Sequence, residues 1–370
     1  MSRTRCLAAL AALTTSMSLI PAAASAQGHA NDAARTTVFT MTNGAAGNSI
    51  LLFAQEGNGG LSPAGSVPTG GLGTGGGLGN QGALAHDGEY LFAVNAGSDD
   101  LSVLRFTEGG LELVDVEGSG GDLPVSVTVH RGIVYVVNAG SDSIAGFVIG
   151  EGGDLSPLAG SVQSLSGPGT GAAQIQFSND GRVLVVTEKA TNSVVTFALD
   201  HYGVPTDRQV FASPGATPFG FAVGPGRRIY VSEAAGGAAG ASSVTSWHVG
   251  PDGTLDVITP TAATLQSAAC WVAITPDGRF AYTTNTASGN VSAFRIRGGE
   301  LELLDGGVAA TTGPGSTPID VTITAGGRYL HVLNSGTDAL ATFAIARDGS
   351  LRYVSEVPGL PDGANGLAAR

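Results

Sequence analysis

Two acidic residues interrupt a row of asparagines. Seven similar segments each end an apolar run on a polar anchor residue: Asn43, Asn95, Asn138, Glu188, Glu233, Asn285 and Asn334. Asn suits a turn, because it tolerates left-handed backbone and bonds its own main chain. Glu has no such preference, so Glu188 and Glu233 are candidate acid/base groups or cation ligands, with Lys189 beside the first. A second polar set, Gln81, Ser126, Gln174, Asp320 and Asn365, lies just before these runs, together with the aromatic surfaces of Phe219 and Trp271. Carboxylates, amides, a lysine and flat apolar faces are the equipment for a small polar ligand. Glu188, Glu233 and Asp320 are the catalytic candidates, and the others are candidate ligand contacts.

Other chemistries lack their residues. The six histidines show no short metal-ligand spacing, and no metal centre is expected. No Gly-x-Ser-x-Gly elbow occurs. The Gly-rich stretch from Gly70 to Gly82 lacks the lysine of a phosphate loop and reads as a connection. Cys270 reads as a small buried hydrophobe. No cofactor is implied, although the carboxylates leave a divalent cation open.

The elements that must position these groups repeat. The anchors are 43 to 52 residues apart, the spacing of propeller blades. Each unit reads as four short strands. A small-residue strand starts at Pro124, Ala172, Pro218, Ala269 or Pro318. The anchor strand follows, as in Val134 to Val137. A third strand carries an aromatic (Phe147, Phe197, Trp247, Phe294, Phe343), and a Gly turn leads to an outer strand. The Gly count of 58 disfavours helices, and 42% hydrophobic residues with 13% charged disfavours disorder. The unit at Val38 lacks a small-residue strand before it, while a spare one, Gly363 to Ala369, follows the last unit. The expected fold is all-β: a seven-bladed propeller closed by its C-terminal strand in the first blade, which leaves no open edge. The anchors and the starts of the small-residue strands then share one face of the disc. The hairpins at Asp180 and Asp277 lie on the other.

Residues 1–26 read as a signal peptide: Arg3 and Arg5, an apolar stretch from Leu7 to Ile20, and Ala24-Ser25-Ala26 as a cleavage site. Residues 27–370 form the single propeller domain, exported to the periplasm or the medium. Loss of Arg3 and Arg5 takes the net charge from −13 to −15, a poor match for nucleic acid or an anionic membrane. No later stretch is long and apolar enough to span a membrane, and a monomer is expected.

The repeat, the V-x-N-x-x-x-[DN]-x-apolar turn and the Asp-Gly hairpins at Asp180 and Asp277 resemble the seven-bladed lactonase-type propellers. That family includes 6-phosphogluconolactonase-like and carboxymuconate-cyclising enzymes and surface proteins with YVTN-type repeats. The resemblance spans residues 38 to 369. It implies either a lactone hydrolase acting on a small lactone or sugar acid at the channel mouth, or a non-catalytic propeller that binds a protein, peptide or glycan. The family's enzymes carry His or Arg at the start of inner strands. Here Asn80, Val125, Ala173, Phe219, Cys270, Ile319 and Ala364 stand there.

Overall fold

The computed structural model describes residues 36–370; the signal-peptide segment lies outside them. Seven antiparallel sheets follow one another along the chain, and no α-helix occurs among the described residues. Blade 4 shows the pattern: Ala172–Phe177, Val183–Glu188, Ser193–Leu199 and Pro205–Ala212, ordered from the inside outward. The other inner strands are Leu84–His86 in blade 2, Pro124–His130 in blade 3, Pro218–Gly224 in blade 5, Ala269–Ile274 in blade 6 and Pro318–Ile323 in blade 7. The predicted strand starts are met in blades 3 to 7. Blade 2 departs from the pattern. Residues 79–82, expected to begin its inner strand, form a loop that bonds to blades 3 and 4 instead, with Gln81 N donating to Ala173 O and Val127 N to Gly82 O.

Apolar residues face both sides of the middle strands, so each blade buries both faces against its neighbours. The third-strand aromatics Phe147, Phe197, Trp247, Phe294 and Phe343 are at most 2% exposed. Tyr135 and Tyr282 in the second strands are equally buried and donate their hydroxyls to Gly203 O and Gly349 O of the next blade, both at 2.8 Å. Gly349 is fixed by its place: its φ is +94°, and a Cβ there would meet the Phe280 ring.

The repeated turn motif has a mechanical reading. Left-handed backbone falls not on the anchors, except Asn43, but four residues later, on Asp99, Asp142, Asn192 and Asp338. From there Asp99 Oδ1 accepts Leu123 N at 2.7 Å, Asp142 Oδ1 accepts Thr170 N at 2.9 Å, and Asn192 Oδ1 accepts Thr217 N at 2.7 Å. Each bond holds the start of the next blade's inner strand. Two anchor amides donate within their own blade: Asn95 Nδ2 to Asp100 Oδ1 and Ser102 Oγ, and Asn285 Nδ2 to Asn290 Oδ1 and Ser292 Oγ.

Closure is as expected. Asn365–Ala369 pairs antiparallel with Thr37–Met41, joining Val38 to Ala369 and Phe39 to Ala368. The first blade therefore takes its inner strand from the far end of the chain, and the ring has no free inner edge.

Candidate functional site

The seven inner strands surround a channel whose two ends differ. Their first residues are buried, and partly solvent-exposed residues occur only toward their other ends in most blades. In blade 3 Pro124 to Thr128 are buried and Val129 and His130 half-buried; in blade 7 Thr322 and Ile323 are half-buried. A cavity of about 360 Å3 occupies the strand-end half. One ring of its lining comes from the fifth residue of each inner strand in blades 3 to 7: Thr128, Gln176, Ala222, Ala273 and Thr322. Val129, Val223, Ile274 and Ile323 continue it outward, and His86 and Leu367 complete the wall.

The strand-start end is sealed. Trp271 Nε1 donates to Asn80 O at 2.7 Å, and the Gln81 side chain both donates to Val272 O (2.8 Å) and accepts from Val272 N (3.0 Å). These bonds cross from blade 2 to blade 6. Lys189 Nζ donates to Gly79 O and to Ala172 O, and sits 5.1 Å from the Phe219 ring, which packs on Trp271 at 4.8 Å. Burial lowers the Lys189 pKa to about 8 and pushes the nearby Cys270 thiol up to about 12. Residues 79–81 thus plug the end of the channel that carries the anchors.

The sequence-nominated residues part into groups. Gln81, Gln174 and Asp320 line the cavity. Gln81 and Gln174 spend their amides as structural ties, since Gln174 accepts Phe221 N at 2.7 Å and donates to Phe221 O at 2.9 Å. Lys189, Phe219 and Trp271 belong to the seal. Ser126 accepts Ile175 N across a blade seam, and Asn365 O accepts the Thr40 hydroxyl. Glu188 and Glu233 are fully buried and absent from the cavity lining. Glu188 accepts Ser166 N at 3.0 Å, the Ser166 hydroxyl, and Thr191 Oγ1 at 2.6 Å. Glu233 accepts Ser213 Oγ at 3.1 Å and Ser243 Oγ at 2.7 Å, and burial nonetheless raises its pKa to about 7. Glu is one methylene longer than Asn, so both side chains reach the connection that enters their own blade. They stand within the blades rather than on the rim, and do not meet Asp320 in the cavity.

Asp320 is distinctive in geometry. It lies in a bulge between Ile319 and Val321, with φ +49°. Blades 1 and 2 carry a left-handed glycine next to the aligned residues Asn365 and Gln81, Gly366 and Gly82, with φ +77° and +79°. A left-handed residue with a side chain inside a strand is costly and concentrates at functional sites. Asp320 Oδ1 accepts Val321 N at 2.8 Å, Leu367 N bonds the same carboxyl, and burial raises its pKa to about 7. His86, Gln176, Thr128 and Thr322 are lining groups that the sequence reading passed over. Carrying the repeat alignment to the fifth inner-strand residue would have reached three of them. His86 Nε2 lies 3.0 Å from Ala369 O, and burial lowers its pKa. The described residues contain no cluster of three or more potential metal ligands.

The fold is that of a seven-bladed β-propeller. Residues 240–362 match the family of seven-bladed β-propeller lactonases (Lactonase, 7-bladed beta-propeller). Solved structures agree over nearly the whole chain. A candidate 6-phosphogluconolactonase from Bacteroides fragilis superposes with a TM-score of 0.73 at 21% identity, covering 92% of this chain and 99% of that one. The periplasmic gluconolactonase of Pseudomonas aeruginosa gives 0.72 at 19% identity, covering 90% and 98%. A protein from Lactobacillus plantarum gives 0.74 at 15% identity, covering 91% and 99%. No curated protein matches the chain in sequence.

Proposed function

We propose that the protein is an exported lactone hydrolase whose substrate is a small uncharged lactone, bound in the strand-end half of the channel with Asp320 as general base. The observation that carries this reading is the Asp320 carboxyl, held on strained backbone in the cavity wall with a pKa of about 7. A base is most effective when its pKa lies near the working pH. The carboxylate takes a proton from water as the oxygen attacks the lactone carbonyl. The ring C–O bond then breaks, and the proton returns to the departing alkoxide, leaving an open-chain hydroxy acid. Gln176 and Thr322 are the lining donors available to the carbonyl oxygen. No lysine or arginine lines the cavity, which favours an uncharged ring over a phosphorylated one. The signal-like residues 1–26 support export. Glu188 and Glu233 serve as internal ties.

The test is the consumption of glucono-δ-lactone by the purified protein, followed by pH-stat above the spontaneous rate. Asp320→Asn should lower kcat by at least about a hundredfold, while Glu188→Gln and Glu233→Gln remain within a few-fold of wild type. Wild-type turnover in Asp320→Asn sinks the assignment. A second reading, binding of a neutral sugar or glycan without turnover, is favoured by the lack of a second charged acid/base group beside Asp320 in the lining. Saturable sugar binding without lactone loss would establish it instead.

A further inference from the structure

A second cleft, of about 300 Å3, lies on the face where the channel opens, at the seam between blades 6 and 7. It begins immediately past Ile274 and Ile323, the last channel-lining residues of those two blades. Its walls carry three arginines, Arg279, Arg328 and Arg347, against one acid, Asp277, and the apolar surfaces of Phe280 and Ile345. In a chain of net charge −13 with 17 basic residues, that concentration is unusual.

The acids that could neutralise it are engaged elsewhere. Asp277 is saturated within its own hairpin: it accepts Thr275 Oγ1 at 2.7 Å, Arg279 N at 3.1 Å and Arg279 Nε at 2.6 Å. Asp348, next to Arg347, accepts Ser350 N and Ser350 Oγ. Among the described residues Arg328 and Arg347 form no ion pair. Arg279 Nη1 reaches Arg347 O at 3.5 Å, so the two walls touch while the second guanidinium stays uncommitted. The seam between blades 4 and 5 resolves the same problem differently. There Asp180, the counterpart of Asp277, turns across the seam and pairs with Arg227 at 2.5 Å. Blade 7 has Arg328 in the place of Arg227, each carbonyl accepting an N–H of the third strand (Ile345 N and Val249 N), but Asp277 turns inward to Arg279, and Arg328 is left facing the cleft without a counterion.

We propose that this cleft binds a small organic oxyanion, a phosphate ester or a carboxylate, with its charged head between Arg328 and Arg347 and its apolar body on the Phe280 and Ile345 side. Paired guanidiniums match the fork geometry of such heads. The site is independent of the channel chemistry.

Isothermal titration at fixed ionic strength tests it, with phenyl phosphate and benzoate as the two anions and phenol as the neutral control. Saturable binding of at least one anion and none of phenol is expected. The tighter of the two identifies the head group. Arg328→Gln and Arg347→Gln should each weaken binding about tenfold and the double variant about a hundredfold, while Arg352→Gln leaves it unchanged. Both positions are exposed, so the melting temperatures should match wild type and affinity alone should move. Absence of saturable binding of either anion, or equal affinity in the double variant, overturns the proposal.

Discussion

The two halves of the channel are built from the same seven strands and do opposite work. At the strand starts side chains tie the blades together across the channel: Trp271 is bonded to Asn80 O, Gln81 to Val272, and Lys189 to Gly79 O and Ala172 O. At the strand ends the lining is half-open, and Asp320 sits among amides and hydroxyls with its backbone strained. Polar residue types alone therefore do not mark a site. What distinguishes the working half is that its polar groups face an open cavity.

The largest effect should come from breaking what both halves share. Deletion of residues 362–370 removes the inner strand of blade 1 and the Leu367 wall of the cavity. We expect loss of soluble protein, or a melting temperature lowered by roughly 10 °C or more; an unchanged transition would contradict closure by this strand. Next in size, Trp271→Ala should cost about 3–5 kcal/mol in chemical denaturation, because it leaves a hole in the seal. Gln176→Ala on the open side should stay within about 0.5 kcal/mol and act on ligand affinity instead. Equal stability losses at the two sites would erase the distinction.

A pH-dependent effect separates the Asp320 carboxyl from its surroundings. Its folded pKa of about 7 exceeds the ordinary 3.8, so the folded state holds the proton more tightly than the unfolded chain. Stability from this group is fully present below pH 3.8 and declines as pH rises through 7. Asp320→Asn mimics the protonated form and should therefore be more stable than wild type at pH 8, by up to about 4 kcal/mol, with the gain vanishing near pH 4. Melting curves at the two pH values check this. A variant destabilised at pH 8 would show that the carboxylate is a structural tie.

Most of the fold was legible because it repeats. Phe147, Phe197, Trp247, Phe294 and Phe343 recur in register because each blade must fill the same seam, and all five are buried as expected. Inner strands begin at the predicted Pro124, Ala172, Pro218, Ala269 and Pro318. The site was harder to read, because a functional residue departs from the repeat, and so does a structural variant. Glu188 and Glu233 depart from the Asn pattern, yet the structure surrounds them with Ser and Thr hydroxyls whose positions no sequence spacing reveals. Asp320 stands on left-handed backbone, which becomes visible only when the bulge and the backbone angle are known. His86 escaped because its inner strand is three residues long and the preceding loop shifts the alignment.

The plug formed by residues 79–81 has a consequence for traffic. With one end stoppered, the channel is a well and not a tunnel, so whatever enters must leave by the same mouth, past the arginines of the adjoining cleft. An anionic product would meet those cations on its way out, and arrivals and departures would have to take turns.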